Sequence, residues 1–461
     1  MTPSRIAGSY RDPSGHVFEA GDHVLRSVRP SAAADFSEVL ESGFLNQLVD
    51  AGDLHPFEVV DSAPLAELEP DAVQVLRHPR LRFISHPYEW SFPALRAAAL
   101  LHLDIQLQGL DRGVTLTDAS AYNIQFVGPR PVFIDHLSFR PYREGEFWSG
   151  HRQFCEQFLN PLLLTARTGI PFQSWYRGSM DGLPAREVGA LLPRSTLLSR
   201  RFLLHVHLLG RLQSETARQG AVQLSATAFP KGRYRRTLED LRAWVSGLKP
   251  KGSRFTEWSG YAGHTSYGDA ETEAKRAFVR EFVSAVRPAQ LWDVGCNTGD
   301  YSVVALEAGA RSVIGFELDH GALDLAFLRA GEQGLAFLPL HLDAANPSPD
   351  QGWAQRERAG LSARRTADAV IALAFVHHLA ISRNVPLAEV VSWIAGLAPR
   401  GVTEFVPRTD PMVRRLLSLR ADIFEEYAEE AFLAALGSHA RVVRTARVTE
   451  TGRLLAWFER G

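Results

Sequence analysis

Hydrophobic positions along the chain change their period near residue 250. Before it, short alternating runs at HVFEA (16–20) and HVLRSV (23–28) predict strands, and DFSEVLESGFLNQLVDAG (35–52) predicts a helix. A mixed stretch, LRFISHPYEW (81–90), leads into a longer helix from Phe92 to Leu110, on which Leu95, Ala99, Leu103, Leu107 and Leu110 fall near one face. Two brief strands follow, YNIQFV (122–127) and PVFIDHL (131–137), joined by a Gly-Pro turn and succeeded mainly by helical patterns. This order predicts a small β-rich lobe followed by a helical lobe.

After residue 250, a helix at TEAKRAFVREFVSAV (272–286) precedes strands at QLWDVG (290–295), SVIGFEL (312–318), FLPLHLD (337–343) and DAVIALAF (368–375). With helices interposed, these strands predict an α/β, parallel, doubly wound sheet, in which ligands bind at the carboxyl ends of the strands. From TEFVP (403–407) the chain reads as a fifth strand, a loop and amphipathic helices. Arg414, Arg415 and Arg420 lie there as candidates to grip an anionic substrate or to pair with nearby carboxylates.

A chain of 461 residues exceeds what one core supports, so two domains of about 200 residues are expected. Pro, Gly and basic residues between 225 and 260 surround one short helical segment, TLEDLRAWVSGL (237–248), and place the cut near 250. The expected domains are 1–250, including the linker, and 251–461. Lys plus Arg number 50 against 52 Asp plus Glu, a net charge of −2, which leaves no electrostatic footprint for nucleic acid or an anionic membrane. The local basic run KGRYRR (231–236) reads as solvated surface. Cys155 and Cys296 are far apart and lack metal-ligand spacing, so neither a disulfide framework nor a zinc site is implied. The first residues carry no apolar signal segment, and no apolar run approaches the roughly 18 residues of a membrane span. The expectation is a soluble protein of the cytoplasm.

The sharpest chemistry sits at LWDVGCNTGDYS (291–302), a strand running into a Gly-rich turn that opens a helix. Gly295 and Gly299 allow a tight turn and close backbone approach to a ligand. Glu317 ends the next strand, where a carboxylate can accept both hydroxyls of a ribose, and Asp343 ends the third, where it can accept from an adenine amino group. The ordered set resembles the class I S-adenosylmethionine-dependent methyltransferases, and the turn GCNTG departs from the G-x-G-x-x-G of dinucleotide folds. That resemblance implies S-adenosylmethionine as cofactor, with Asp293, Gly295, Asn297 and Gly299 on its methionine part, Glu317 on its ribose and Asp343 on its adenine. His377 and His378 follow the fourth strand and are candidate bases for an acceptor hydroxyl or amine. Tyr261, Tyr267 and Lys275, in the segment where this fold carries a lid, are candidate cofactor or substrate contacts.

A second constellation lies upstream. LTDASAYN places Asn123 five residues after Asp118, and FIDHLSF supplies Asp135. This resembles the kinase-like phosphotransferases, in which such an Asp orients the acceptor hydroxyl and the Asn and second Asp bind magnesium. The resemblance implies an α+β kinase-like domain over 10–165, with HPYEW as its hinge. If that site is active, Asp118 is its base, Asn123 and Asp135 are its metal ligands, and ATP with magnesium is its cofactor. His136 and Leu137 replace the usual Phe-Gly, no Gly-rich loop is present beyond DPSGH, and no lysine precedes Lys231. Arg26 or Arg29 would have to replace the phosphate-binding lysine. The departures favour a degenerate domain reused for substrate recognition.

Nearly the whole chain is similar to a two-part bacterial group related to the rhizobial nodulation methyltransferases, through HPYEWSFPALRAAALLHLDIQLQGL, LTDASAYNIQF, FIDHLSF, HRQFCEQFLNPLLL, DVGCNTGDYS, FVHHLAISRNVPL and TEFVPRTDPMVRRLL. Thr117 stands where that group would carry lysine. The implied activity is methyl transfer to an oxygen or nitrogen of a glycan, lipid-linked saccharide or small metabolite. A bifunctional kinase-methyltransferase and a non-catalytic binding protein are the alternatives.

Overall fold

The computed structural model describes residues 2–208, 229–252, 269–418 and 421–461. Tyr261, Tyr267 and Arg420 lie outside them. Contacts divide the chain into two compact units: Met1–Phe126, Arg130–Gly252 and Asp350–Arg358 in the first, and Val127–Pro129, Ser253–Pro349 and Ala359–Gly461 in the second.

The N-terminal unit opens with a five-stranded antiparallel sheet. Its strands are β1 (Ser4–Arg5), β2 (Val17–Ala20), β3 (His23–Val28), β4 (Glu58–Val60) and β5 (Gln74–Pro79), in the order β1-β2-β3-β5-β4. Phe18, Leu25 and Val75 alternate onto its buried face, as period-two patterning requires. Helices Pro30–Glu41 and Phe44–Ala51 intervene between β3 and β4. The single helix expected over 35–52 is therefore broken, because Gly43 takes φ +74 and turns the chain. Both β4 and β5 escaped the sequence reading; they are short, and QVLRHP carries polar residues on its exposed face.

Helix Phe92–Asp111 is capped by Ser91, whose Oγ accepts from Ala94 N at 3.2 Å. It is buried around most of its circumference, which its continuous apolar composition permits. β6 (Val114–Leu116) pairs with β9 (Phe139–Pro141), and β7 (Ile124–Val127) with β8 (Arg130–Phe133). Helical segments follow, including Lys231–Ser246. That helix starts earlier than expected: KGRYRR forms its first turns, because Tyr234, Leu238, Leu241 and Val245 share one buried face.

The C-terminal unit is a seven-stranded Rossmann-like sheet of β10 (Leu291–Val294), β11 (Val313–Glu317), β12 (Phe337–His341), β13 (Ala369–Ala372), β14 (Arg400–Phe405), β15 (Arg441–Arg447) and β16 (Leu454–Glu459). Its order is β12-β11-β10-β13-β14-β16-β15, with β16 antiparallel to both neighbours. The sequence reading stopped at the fifth strand and missed β15 and β16. β15 is an edge strand with mostly exposed, basic side chains, so no apolar run announces it. The order of strands reverses between β10 and β13, and the ends of those strands form the switch-point crevice where this architecture holds ligands.

Candidate functional site

β10 is buried along its length and delivers the turn Gly295–Gly299 at its carboxyl end. Gly295 takes φ +78, and a Cβ there would lie 3.1 Å from Phe375 Cδ2. Gly299 takes φ +86, and a Cβ there would meet Phe337 Cε1 at 2.5 Å. Asn297 adopts φ +50, a conformation that asparagine tolerates better than most residues, and its own Oδ1 accepts from Thr298 N at 2.7 Å. The turn is tied to the next strand through Gly295 N and Cys296 N, which both donate to Phe316 O at 2.9 and 3.1 Å.

Glu317 closes β11. Its Oε2 accepts from Asn297 N at 2.8 Å, and its Oε1 accepts from Leu318 N and Asp319 N, each at 2.8 Å. Burial pushes the carboxyl up, while the amides of Asp319, Asn297 and Leu318 oppose the shift. Asp293 is also buried, accepts from Ser302 Oγ at 2.6 Å, and is pushed up to about 7, mainly by burial. Its contact among the described residues is thus with the helix that the turn opens. Asp343 lies just beyond β12, where Oδ1 accepts from Ala345 N at 3.1 Å and Oδ2 faces Arg383 at 3.5 Å.

These residues fit an adenosyl-sulfonium cofactor. Carboxylates stand in order at the ends of successive strands, Glu317 bonded to the turn and Asp343 one strand farther, while Gly295 and Gly299 let the turn pack against Phe375 and Phe337.

His377 and His378 occupy the bend after β13, and a wide π turn runs from His378 to Ser382. Their ring centroids are 4.1 Å apart. Burial, the adjacent His378 and Lys275 push His377 well below the ordinary imidazole value, and burial pushes His378 down to about 4. Both are neutral at pH 7 and weak as bases. His377 Nδ1 has no hydrogen-bond partner among the described residues.

Sequence reasoning missed Glu404, fully buried in β14. Its Oε2 accepts from Ala374 N at 2.7 Å and pairs with Lys275 Nζ at 2.7 Å. Ala374 is held at φ +49 in the same bend. Arg453 lies 3.6 Å from Glu404 and donates to Asp410 at 2.6 and 3.0 Å. Lys275 is therefore a buried ion-pair member below the bend. A carboxylate in the otherwise apolar TEFV is the signal that a buried partner must exist. Arg414 and Arg415 are exposed on helix Pro411–Ser418.

In the N-terminal unit, Asp118, Asn123 and Asp135 converge. Asn123 Nδ2 donates to both Asp118 oxygens at 3.2 Å and to Asp135 Oδ2 at 3.4 Å. Ser138 Oγ lies 2.9 Å from Asp118 and 2.6 Å from Asp135. Burial, then Asp135 beside it, pushes Asp118 up to about 6. Arg26 inserts its guanidinium here, 2.9 Å from Asp135 Oδ1 and also paired with Asp12 of DPSGH. Arg29 is turned elsewhere, toward Glu69 and Asp71 at 3.3 and 3.5 Å.

No family model matches the chain. It is 48% identical to nodulation protein NoeA of Rhizobium meliloti (strain 1021), over 99% of this chain and 96% of that protein. Among solved structures, N-methyltransferase NodS from Bradyrhizobium japonicum WM9 is 12% identical with a TM-score of 0.31, covering 42% of this chain and 97% of that one. The bifunctional kinase-methyltransferase WbdD is 15% identical with a TM-score of 0.30, covering 48% and 46%.

Proposed function

The chain belongs to the family of the Rhizobium meliloti nodulation protein NoeA; we propose that it is an S-adenosylmethionine-dependent methyltransferase that methylates an oxygen or nitrogen of a saccharide, lipid-linked saccharide or small metabolite. The observation that carries the cofactor assignment is the ordered set at the strand ends: the Gly295–Gly299 turn, Glu317 bonded to its backbone, and Asp343 one strand farther. The acceptor class is supported by the relative's description as a nodulation protein and by the balanced charge, which offers no footprint for RNA.

When bound, the cofactor supplies an electrophilic methyl on a cationic sulfur. The chain's own work is positioning: Gly295, Asn297 and Gly299 hold the methionine end, Glu317 accepts from the ribose hydroxyls and Asp343 from the adenine amine. The bend at Ala374–His378 faces the acceptor, and Glu404 and Lys275 hold it from below through Ala374 N. Holding two reactants in line supplies most of the acceleration such a displacement needs. His377 and His378, neutral at pH 7 and weak as bases, orient an acceptor hydroxyl by hydrogen bonding rather than by taking its proton.

For the N-terminal unit we propose a kinase-like lobe pair reused for acceptor recognition. Arg26 supports this reading: it supplies Asp135 with a cation from the chain itself. The bifunctional alternative is favoured by the convergence of Asp118, Asn123 and Asp135 and requires magnesium-dependent ATP turnover that disappears in Asp118→Ala and Asp135→Ala.

The test is incubation of the full chain with methyl-labelled S-adenosylmethionine and fractionated bacterial extract. Label is expected in saccharide or small-metabolite fractions and absent with Glu317→Ala. Label confined to protein or RNA would overturn the acceptor class.

A further inference from the structure

His151 and Cys155 lie four residues apart at the start of one helical run, and His205 belongs to another, Leu203–His207. All three are buried. His151 Nε2 is 2.9 Å from His205 Nδ1, and Cys155 Sγ is 3.8 Å from His151 Nε2. One donor atom from each residue falls within 4.8 Å of the other two. Each run contains a wide π turn, Cys155–Leu159 beginning at a donor and Leu203–His207 centred on one, a local irregularity that recurs at functional sites.

We propose that His151, Cys155 and His205 form a zinc-binding site in the N-terminal unit. Two imidazoles and one thiolate are a donor set that zinc prefers, and three protein donors leave one tetrahedral position for water or an external ligand. With zinc bonds of ordinary length, a tetrahedron has nitrogen–nitrogen edges of about 3.3 Å and nitrogen–sulfur edges of about 3.6 Å. The separations of 2.9 and 3.8 Å are within a few tenths of an ångström of those edges. The chemistry balances without a redox partner. The Cys155 thiol loses its proton to solvent as sulfur binds the metal, and the shared His–His proton moves to an outer ring nitrogen by tautomer exchange.

This departs from the expectation drawn from cysteine spacing, because the partners of Cys155 are histidines, one of them 54 residues from His151. The site stands apart from the methyl-transfer assignment, and its test does not use activity. The full chain, prepared without a histidine tag, should retain about one zinc per molecule by mass spectrometry, and Cys155→Ser and His205→Gln should retain little. Reloading stripped wild-type protein with Co2+ alone should give a thiolate-to-cobalt charge-transfer band that Cys155→Ser lacks. A zinc-free wild type that also gives no band with excess Co2+ would leave a hydrogen-bonded triad and overturn the site. A band that persists in Cys155→Ser would overturn it too. If the variants fail to fold, the wild-type cobalt spectrum decides.

Discussion

Glu317→Gln separates what this carboxylate does for the fold from what it does for the cofactor. In the protein, Glu317 accepts three backbone N–H bonds, two at Oε1 and one at Oε2. A glutamine can keep its oxygen toward Leu318 N and Asp319 N, which turns its amide NH2 toward Asn297 N–H and leaves that donor unsatisfied. An orphaned N–H costs about 1 to 3 kcal/mol. Neutralising a buried carboxylate offsets part of this, so the stability loss should fall near the lower end of that range. Affinity is affected separately: a charge-assisted bond to a ribose hydroxyl contributes about 1.5 to 3 kcal/mol, so the dissociation constant should rise roughly 10- to 150-fold. Calorimetric titration with S-adenosylhomocysteine reads the second effect and urea unfolding the first. A variant that binds within about threefold of wild type would refute the ribose assignment.

His102 has two ring nitrogens without partners among the described residues and sits against Trp148, Phe154 and Phe158. His102→Phe should therefore stabilise the fold by about 1 to 3 kcal/mol in urea unfolding at pH 7; a loss of stability would show that the imidazole has a partner there. Burial lowers His102 to about 3, so its contribution to stability is complete above the unfolded value near 6.5 and is lost as pH falls from there toward 3. At pH 5 the wild type should have lost about 2 kcal/mol through this residue, a loss that His102→Phe removes; equal pH slopes in the two proteins would contradict it. Lys275→Met leaves the buried Glu404 only the more distant Arg453, 3.6 Å away, among the described cations and should destabilise the C-terminal unit by up to about 3 to 5 kcal/mol, whereas an unchanged unfolding midpoint would show that the pair is not closed in solution. Arg26→Ala removes the cation beside Asp135 and should make the melting temperature rise with Mg2+ where the wild type does not respond; no response in the variant would remove any latent metal site.

The C-terminal site was legible because its strands are buried on both faces. They read as continuous apolar runs ending in Gly or a carboxylate, and the local chain alone places Gly295, Gly299, Glu317 and Asp343. What stayed hidden depends on long-range pairing. Glu404 and Lys275 meet only after the sheet forms, and His205 reaches His151 only after two helical runs pack. Arg26 was recognised as a candidate phosphate ligand, but its partner Asp135 lies in the turn after β8, more than 100 residues away and beyond the reach of any periodicity argument. β15 was missed for a related reason: an edge strand such as RVVRTAR owes its conformation to its neighbour more than to its own pattern, whereas β16, the buried run LLAWFE between β14 and β15, carried an apolar signal that the sequence reading passed over.

The central claim is tested most directly by titrating the wild-type chain with S-adenosylhomocysteine in a calorimeter. Saturation at one site per chain, with a dissociation constant on the order of micromolar, is the expected result. A folded protein that takes up no S-adenosylhomocysteine at millimolar concentration would contradict the assignment of the strand-end site.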